Sequence, residues 1–470
     1  MDIFLKKKSL FIVSGMMFFF SSCFVGKKYQ RPDELSRLNV FRPEYQQVDS
    51  SNIAEMDWRS FFRDTVLQGY IQTALDSNNN FLIAQENIKA GNAYYLQATQ
   101  AFFPSVSIGP GITYTTQSLN TQFGQIIGER RHIAQFDVTA AVSWEADIWG
   151  KLSSAKRASL AQWQQSVAAK QAFQTTLVSS VASIYYQLLI LDTQKAITQQ
   201  TIETRTASLE TSRALKSAGT LTEVAVQQSN ALVLNARALL LTLDYQIKVL
   251  ENTLNVLLGK PAGPVARLSL DNQSFVNDLT YGVPLQLLSN RPDIRVAEYN
   301  LVAALEQVNI AKASFYPAFR ITGSTGLQSI DIDHLFSVRS IFANVVGSLT
   351  QPLWNRRQLR TQHEVSLANQ QIAYLRYRES LIQAGREVSD ALAAYDMQDK
   401  LIGLKQQEYE AYRNATEYSQ ELVNYGLANY LEVLRAQENE LSAQLSVLNA
   451  QYGRINAVIT LYKVLGGGWQ

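Results

Sequence analysis

Histidine and acidic side chains are the groups that would catalyse a reaction or bind a metal, and this chain has few groupings of them. Its three histidines, His132, His334 and His363, are well separated in the sequence, whereas a zinc site needs several nearby ligands. Glu145 and Asp147 share one side of a strand-like segment, but a solvated strand end explains them better than acid–base catalysis. Nucleotide-binding glycine motifs and the G-x-S-x-G motif are absent from the sequence. We therefore expect a protein that is not an enzyme, with no metal site and no cofactor.

Cys23 is the only cysteine, and its position indicates lipid attachment. Lys6–Lys8 precede an apolar run, Leu10–Phe20, which is shorter than the roughly 20 residues of a membrane-spanning helix. Small residues then lead to Cys23, in a pattern that resembles a bacterial lipobox, whose thiol receives a diacylglycerol. We expect residues 1–22 to be a signal peptide and residues 23–57 a lipidated N-terminal extension. An ordinary secretory signal beside an unrelated cysteine is the alternative.

The charge balance gives no sign of a nucleic-acid partner. The full chain has 42 basic and 40 acidic residues. Removing residues 1–22, which hold three lysines and one aspartate, leaves 39 of each. A neutral chain has no positive field to attract a polyanion, so we expect no binding of nucleic acid.

The sequence contains two related halves. Residues 74–108 align without a gap with residues 287–321, and this alignment pairs Ala84 with Ala297, Phe102 with Phe315 and Pro104 with Pro317. Two later pairs of segments match in the same order: 147–151 with 352–356, and 217–224 with 424–433. Three ordered matches indicate duplication. We expect a first repeat at 58–283 and a second at 284–470.

Each repeat contains two strand-like segments. They are rich in β-branched and aromatic residues, partly alternate at period two, and comprise Ser105–Ser118, Ile133–Asp147, Ala318–Ser329 and Ile341–Leu353. Each exceeds the roughly 9–11 residues of a tilted membrane strand. After the signal peptide no apolar run is long enough for a membrane helix, so spanning a membrane would require a closed β-barrel. Four strands cannot close one, but three chains would supply about 12. A soluble hairpin in each repeat is the alternative.

Long helices occupy most of the remaining sequence. The segments predicted as helices are 58–100, Lys151–Ala218, Thr220–Leu258, 284–314, Asn355–Tyr425 and Ala428–Leu465. Lys151–Ala218 would extend about 100 Å at 1.5 Å per residue. Such hairpin arms predict a rod or a tube.

Three positions mark helix ends. Gly219 and Gly426 allow the left-handed backbone that ends a helix, one in each repeat. Pro292 suits the first helical position, and Asp293 suits the first turn. We interpret Arg291, Pro292 and Asp293 as a structural cap that includes an ion pair to another helix.

Six short motifs, spread over nearly the whole mature chain, carry a family resemblance. They lie at 29–32 (YQRP), 58–67 (W-x-x-F-x-x-D-x-x-L), 144–151 (WEADIWGK), 287–298 (LLSNRPDIRVAE), 348–355 (SLTQPLWN) and 461–469 (LYKVLGGGW). Together they resemble the TolC-like outer-membrane factors of tripartite efflux pumps, in the lipoprotein (NodT/OprM-like) branch. The resemblance implies a mixed fold, a membrane β-barrel plus a long α-helical barrel. Each protomer would give four strands to a barrel of about 12 strands in a homotrimer.

The resemblance also implies site residues. The hairpin tips, at Gly219, Thr220, Gly426 and Leu427, would be the periplasmic surface that docks an adaptor protein. The segment 429–437 resembles the family's gate, and the pore constriction would comprise Leu431, Arg435 and Glu438. Relatives often carry the opposite charges at the last two positions, so we hypothesise an anion-favouring constriction at Arg435. The alternative is that both side chains make only surface ion pairs.

The function implied is a passive exit duct for small molecules. The partners implied are a periplasmic adaptor, an inner-membrane transporter of the resistance-nodulation-division class, and lipid of the outer membrane. The location implied is the outer membrane of a Gram-negative bacterium, with a lipid anchor and a long periplasmic extension. The alternatives are a periplasmic coiled-coil scaffold or adaptor lipoprotein, and an exit duct for type I protein secretion.

Overall fold

The structure, a computed structural model, describes residues 25–33, 40, 42, 56–270 and 291–469. Cys23, the predicted signal peptide and most of the predicted N-terminal extension therefore lie outside the described residues. The chain forms two compact units. The first, here called the strand unit, comprises the described residues of Met1–Arg31, Lys89–Gln165 and Glu298–Arg376; the second, the helical unit, comprises those of Pro32–Ile88, Ser166–Ala297 and Tyr377–Gln470. Each unit takes segments from both predicted repeats.

The helices and strands follow one another in the same order in both halves of the chain. The helices are α1 (Trp58–Phe61), α2 (Thr65–Ser77), α3 (Asn79–Gln100), α4 (Gln122–Ile127), α5 (Lys151–Ser217), α6 (Glu223–Leu257), α7 (Pro292–Ala313), α8 (Gln358–Asn424) and α9 (Tyr430–Val464). The strands are β1 (Ser105–Thr116), β2 (His132–Ala146), β3 (Ala318–Ser329) and β4 (Ile341–Thr350). In the described chain, no helix is both long and apolar enough to cross a lipid bilayer.

The four predicted strands are confirmed and form one antiparallel sheet. Their order in the sheet follows the sequence, β1-β2-β3-β4, so β1 and β4 are its edges. The pair β2 and β3 joins the first repeat to the second, because β2 belongs to one half of the chain and β3 to the other.

The long helical hairpins are also confirmed. Helices α5 and α8 each contain 67 residues, and α6 and α9 each contain 35. A helix of that greater length extends about 100 Å at 1.5 Å per residue. Matched lengths in the two halves fit the duplication inferred from the sequence.

The prediction of one helical segment over residues 58–100 was wrong, because two polar side chains break it. Asp64 accepts hydrogen bonds from the backbone N–H groups of Val66 and Leu67, and so caps α2. Asn78 has an extended backbone, accepts a bond from the N–H of Phe81 and donates one to the carbonyl of Leu257. Both side chains offer the backbone an alternative to a continuous helix.

Two further boundaries differ from the predictions. Helix α8 begins at Gln358 rather than Asn355, because Arg356 and Arg357 have φ of +52° and +67°. Strand β2 begins at His132 rather than at Ile133, and the segment between β1 and β2 contains the short helix α4.

Aromatic side chains form much of the core of the helical unit. Trp58, Tyr185 and Tyr462 are almost fully buried. The ring of Tyr462 stacks on that of Phe61 with centroids 4.1 Å apart, and the Tyr185 hydroxyl donates to Asp64 over 2.7 Å. Asp64 thus both caps α2 and satisfies a buried hydroxyl, which fixes the start of that helix in the core.

Candidate functional site

The sheet of the strand unit has two chemically different faces. On one face of β1, the side chains of Val106, Ile108, Ile112 and Tyr114 are between 67% and 76% exposed. The other face of β1 carries serine, threonine and glycine. A strand that exposes alternate apolar residues this strongly, at the edge of a sheet, needs a partner or an apolar surrounding.

The strand registers extend this division across all four strands. Val106, Val142, Gly323 and Val345 form one paired row on the apolar face. The next row, on the opposite face, consists of Ser107, Ala141, Ser324 and Asn344. On β4, Val345 and Leu349 are 77% and 67% exposed. Strands of membrane barrels have two such faces: the apolar face contacts lipid, and the polar face contacts a water-filled interior.

Specific contacts reinforce the seam between β2 and β3. Just after β2, the ring of Trp149 stacks on Tyr316 with centroids 4.8 Å apart, and its Nε1–H donates to the carbonyl of Pro317 over 2.8 Å. Within the strands, Glu145 bonds Arg320 over 2.9 Å. An aromatic stack and a hydrogen bond therefore join the two repeats at this end of the sheet.

The tips of the helical hairpins, in the helical unit, are built alike. Gly219 and Gly426 have φ of +77° and +70°, which confirms the predicted left-handed helix ends. In the first tip the N–H of Thr220 bonds the carbonyl of Leu215; in the second, the N–H of Leu427 bonds that of Leu422. These are Schellman caps, which satisfy the last carbonyls of α5 and α8.

The two tips pack against each other through an apolar cluster, here called the tip cluster. Its buried members are Ala225, Tyr430, Val433 and Leu434. The hydroxyl groups of Tyr430 and Ser208 lie 2.5 Å apart, which ties the start of α9 to α5. Leu431, predicted to line a pore, is partly buried against this cluster.

The two charged residues of the predicted gate do not pair in the described part of the chain. Arg435 and Glu438 are both exposed on α9, and no ion pair joins them. The charge of Glu438 acts on Arg205 instead, a buried residue whose guanidinium bonds the carbonyls of Leu232 and Gln437. Burial lowers the pKa of Arg205, and Glu438 partly opposes that change.

Arg291 connects three helices of the helical unit. Its guanidinium bonds Asp293 in the first turn of α7, Glu387 of α8 over 2.7 Å, and the carbonyl of Val464 at the end of α9. Burial disfavours the charged form, but the two carboxylates outweigh that cost and raise the pKa of Arg291. Pro292 is the first residue of α7. The sequence predicted the ion pair to another helix, but nothing in the sequence indicated the bond from Arg291 to the carbonyl of Val464.

The N-terminal extension is attached to α7 in the strand unit. The backbone of Lys27 exchanges two hydrogen bonds with the side-chain amide of Asn309, each 2.9 Å long. Tyr29 and Arg31 both bond Glu298, and the guanidinium does so through two nitrogens. These contacts, which sequence reasoning missed, hold the chain a few residues after Cys23.

Within the described residues, no group of three or more His, Cys, Asp or Glu side chains forms a metal site.

The architecture is shared with outer-membrane channels of known structure. The open state of the MtrE outer membrane channel of Neisseria gonorrhoeae matches with a TM-score of 0.85 and 25% sequence identity, covering 95% of this chain and 99% of that chain. The fold is therefore that of an outer-membrane channel.

The sequence comparisons give the family. Residues 70–260 and 283–467 each match the model of the outer membrane efflux protein family. The solvent efflux pump outer membrane protein SrpC of Pseudomonas putida is 30% identical over 87% of each chain. The probable efflux pump outer membrane protein TtgC of Pseudomonas putida strain KT2440 is 29% identical over 98% of this chain and 96% of that protein. The chain belongs to the outer membrane efflux protein family, which confirms the resemblance seen in its motifs.

Proposed function

We propose that the chain is the outer-membrane channel subunit of a tripartite efflux pump and works as a homotrimeric, passive exit duct for small molecules. The observation that carries this proposal is the sheet with two open edges and one strongly exposed apolar face. The family of the chain agrees with it. The proposal assigns no catalytic step to the chain.

The open edges favour assembly with further copies. Edge strands present unpaired N–H and C=O groups, which must be satisfied within the protein if the strands lie in lipid. Pairing β4 of one copy with β1 of the next removes both edges, and three copies give about 12 strands. The apolar face would then contact lipid, and the polar face would line the water-filled interior.

The hairpin tips are the proposed docking surface for a periplasmic adaptor. Around Gly219, Thr220, Gly426 and Leu427 the surface is partly apolar, since Tyr425 and Leu427 are 79% and 75% exposed. Exposed apolar groups of this kind suit a protein partner. An inner-membrane transporter of the resistance-nodulation-division class would supply the energy through that adaptor.

The proposed anchor is a diacylglycerol on Cys23 that holds the channel in the outer membrane. The bonds from Lys27, Tyr29 and Arg31 to α7 fit this role, because they fix the chain close to the acylated residue. An acyl chain contributes about 0.8 kcal/mol per buried CH₂ group to membrane binding.

Dye accumulation in cells tests the proposed function. Removing the gene from its host should raise the intracellular level of a fluorescent pump substrate several-fold, and a plasmid copy of the wild type should restore the low level. A copy ending before β3 is the control and should not restore it, because it lacks half of the sheet. Unchanged dye levels after removal, with the protein shown to be present in the outer membrane beforehand, would contradict the proposal.

A further inference from the structure

The seam between β2 and β3 is a junction between two related halves that happen to lie in one chain. If copies of the chain close into a ring, β4 of one copy meets β1 of the next at a second junction of the same kind. The first seam therefore serves as a template for the second, because duplicated halves that pack in one way inside a chain tend to repeat that packing between chains.

The alignment of the two halves identifies the residues concerned. Trp149 corresponds to Trp354, and the pair Tyr316 and Pro317 corresponds to Phe103 and Pro104. Within the single chain, however, the two corresponding aromatic rings have no such contact: Trp354 is 90% exposed and Phe103 is 66% exposed.

We propose that Trp354 of one copy stacks on Phe103 of a second copy and donates its Nε1–H to the carbonyl of Pro104 there. This inference rests on the proposed function, because it requires the homomeric ring. The occupant of the exposed surface around Trp354 is thus a second copy of this chain. Leu353, which is 92% exposed beside it, becomes covered at the same junction.

The same correspondence fixes the register of the new strand pair. It places Leu349 of β4 opposite Ile108 of β1 in the next copy, and Val345 opposite Ile112. These four side chains all belong to the apolar face, so that face continues from one copy to the next. A slip of one residue would move every side chain of the neighbouring strand to the wrong face.

The register is also compatible with closure of a barrel. Starting at Ile108, the paired positions run through Ala140, Thr325 and Ala343 and, across the new seam, reach Tyr114 of the next copy, six residues further along β1. Repeated over three copies, this stagger corresponds to a strand tilt of about 45°, close to the usual range for barrels.

The backbone beside Trp354 gives separate support. In the first half, the turn after the tryptophan uses Gly150, with φ of +77°. In the second half, Arg356 and Arg357 adopt left-handed backbone without being glycine, with φ of +52° and +67°. Such conformations are unfavourable and persist where the surroundings require them. These arginines lie two and three residues after Trp354, so the strained segment belongs to the surface that we propose meets another copy.

The new seam lacks one feature of the template. The ion pair between Glu145 and Arg320 corresponds to Thr350 and Ser107, which carry no charge. The stacked rings and the indole hydrogen bond are therefore the main side-chain contacts at this end of the junction between copies.

Cross-linking of engineered cysteines tests the proposal. Trp354→Cys and Phe103→Cys are introduced into one chain, which is extracted in detergent and treated with a short reagent that joins two thiols. We expect species of two and three linked chains. The matched control, Trp149→Cys with Tyr316→Cys, should link only within single chains. A second control, Trp354→Cys with Ile126→Cys, should not link, since Ile126 follows the other end of β1.

The outcomes separate this inference from the proposed function. Particles with the mass of three chains but without the cross-link would overturn the seam and leave the trimer intact. A wild-type protein that is monomeric would overturn both. A second measurement covers a double-cysteine variant that fails to assemble: Trp354→Ala and Phe103→Ala should each lower the temperature at which the trimer dissociates, and together by less than the sum. Strictly additive losses would contradict the contact.

Discussion

Three arginines illustrate how the position of one residue type sets its role. Arg291 is buried among two carboxylates and a carbonyl, and so joins three helices. Arg205 is buried with carbonyl acceptors from α6 and α9, and burial lowers its pKa. Arg435 is exposed, without an ion pair to Glu438 in the described chain. Its charge faces solvent, as the hypothesised anion-favouring constriction at residue 435 requires.

We predict that Arg435→Asp shifts the ion selectivity of the channel from anions towards cations. In a three-fold assembly the substitution changes a ring of three positive charges into three negative ones, and a charged ring at a constriction selects ions of the opposite sign. The measurement is the reversal potential of single channels in a planar bilayer under a salt gradient.

Arg237→Asp is the control for Arg435→Asp, because it makes the same charge change at an exposed position of α6 outside the predicted gate. If Arg435→Asp leaves the reversal potential where the wild type has it, residue 435 does not line the constriction and makes only surface contacts.

At the scale of helices, the glycines at the hairpin tips and those inside helices have opposite requirements. Gly426 has φ of +70° and ends α8, whereas Gly403 lies within the same helix and has open space around it. Left-handed backbone favours glycine, and helical backbone disfavours it.

We predict opposite effects on stability for the same substitution at these two sites. Gly426→Ala should destabilise the tip by about 1 kcal/mol, because a Cβ is unfavourable at positive φ. Gly403→Ala should stabilise the helix by about 0.5–1 kcal/mol. Thermal unfolding of the two variants, followed by helical circular dichroism in detergent, checks this. Equal shifts for both variants would show that the cap at Gly426 does not contribute.

The helices and strands were largely predictable, because long runs without proline or glycine and alternating β-branched residues are local signals. The positions at which helices break or begin were not predictable from the sequence. Asn78 interrupts the first helical segment through bonds to Phe81 and Leu257, and the second of these residues is distant in sequence. Arg356 and Arg357 are good helix formers, so propensity extended α8 through them, although their backbone is left-handed. Contacts made only in the folded chain decide both cases.

The candidate site was predictable in part for a similar reason. The helix-ending glycines and Pro292 have roles that depend on their own backbone, and these roles are visible in the sequence. The attachment of the N-terminal extension is not, since the bonds of Lys27 to Asn309 and of Arg31 to Glu298 join residues far apart in the chain. No periodicity or local motif marks such pairs.

At the scale of the whole molecule, the duplication explains why the sheet of one chain has two unpaired edge strands. Each half contributes two strands and one long helical hairpin, and the halves join through β2 and β3. The outer strands β1 and β4 remain open and expose apolar side chains. In a closed ring of copies, β1 and β4 would pair with each other between chains, as β2 and β3 pair within one chain. The proposed function therefore depends on such a ring.

The most direct measurement is electron cryo-microscopy of the detergent-extracted protein, with its mass determined by light scattering. We predict a hollow particle with three-fold symmetry, in which β4 of each copy pairs with β1 of the next. Three chains of 52.7 kDa, each shortened by removal of the signal peptide, give a protein mass of about 150 kDa. A monomer, or an assembly in which β1 and β4 remain unpaired, would contradict this prediction.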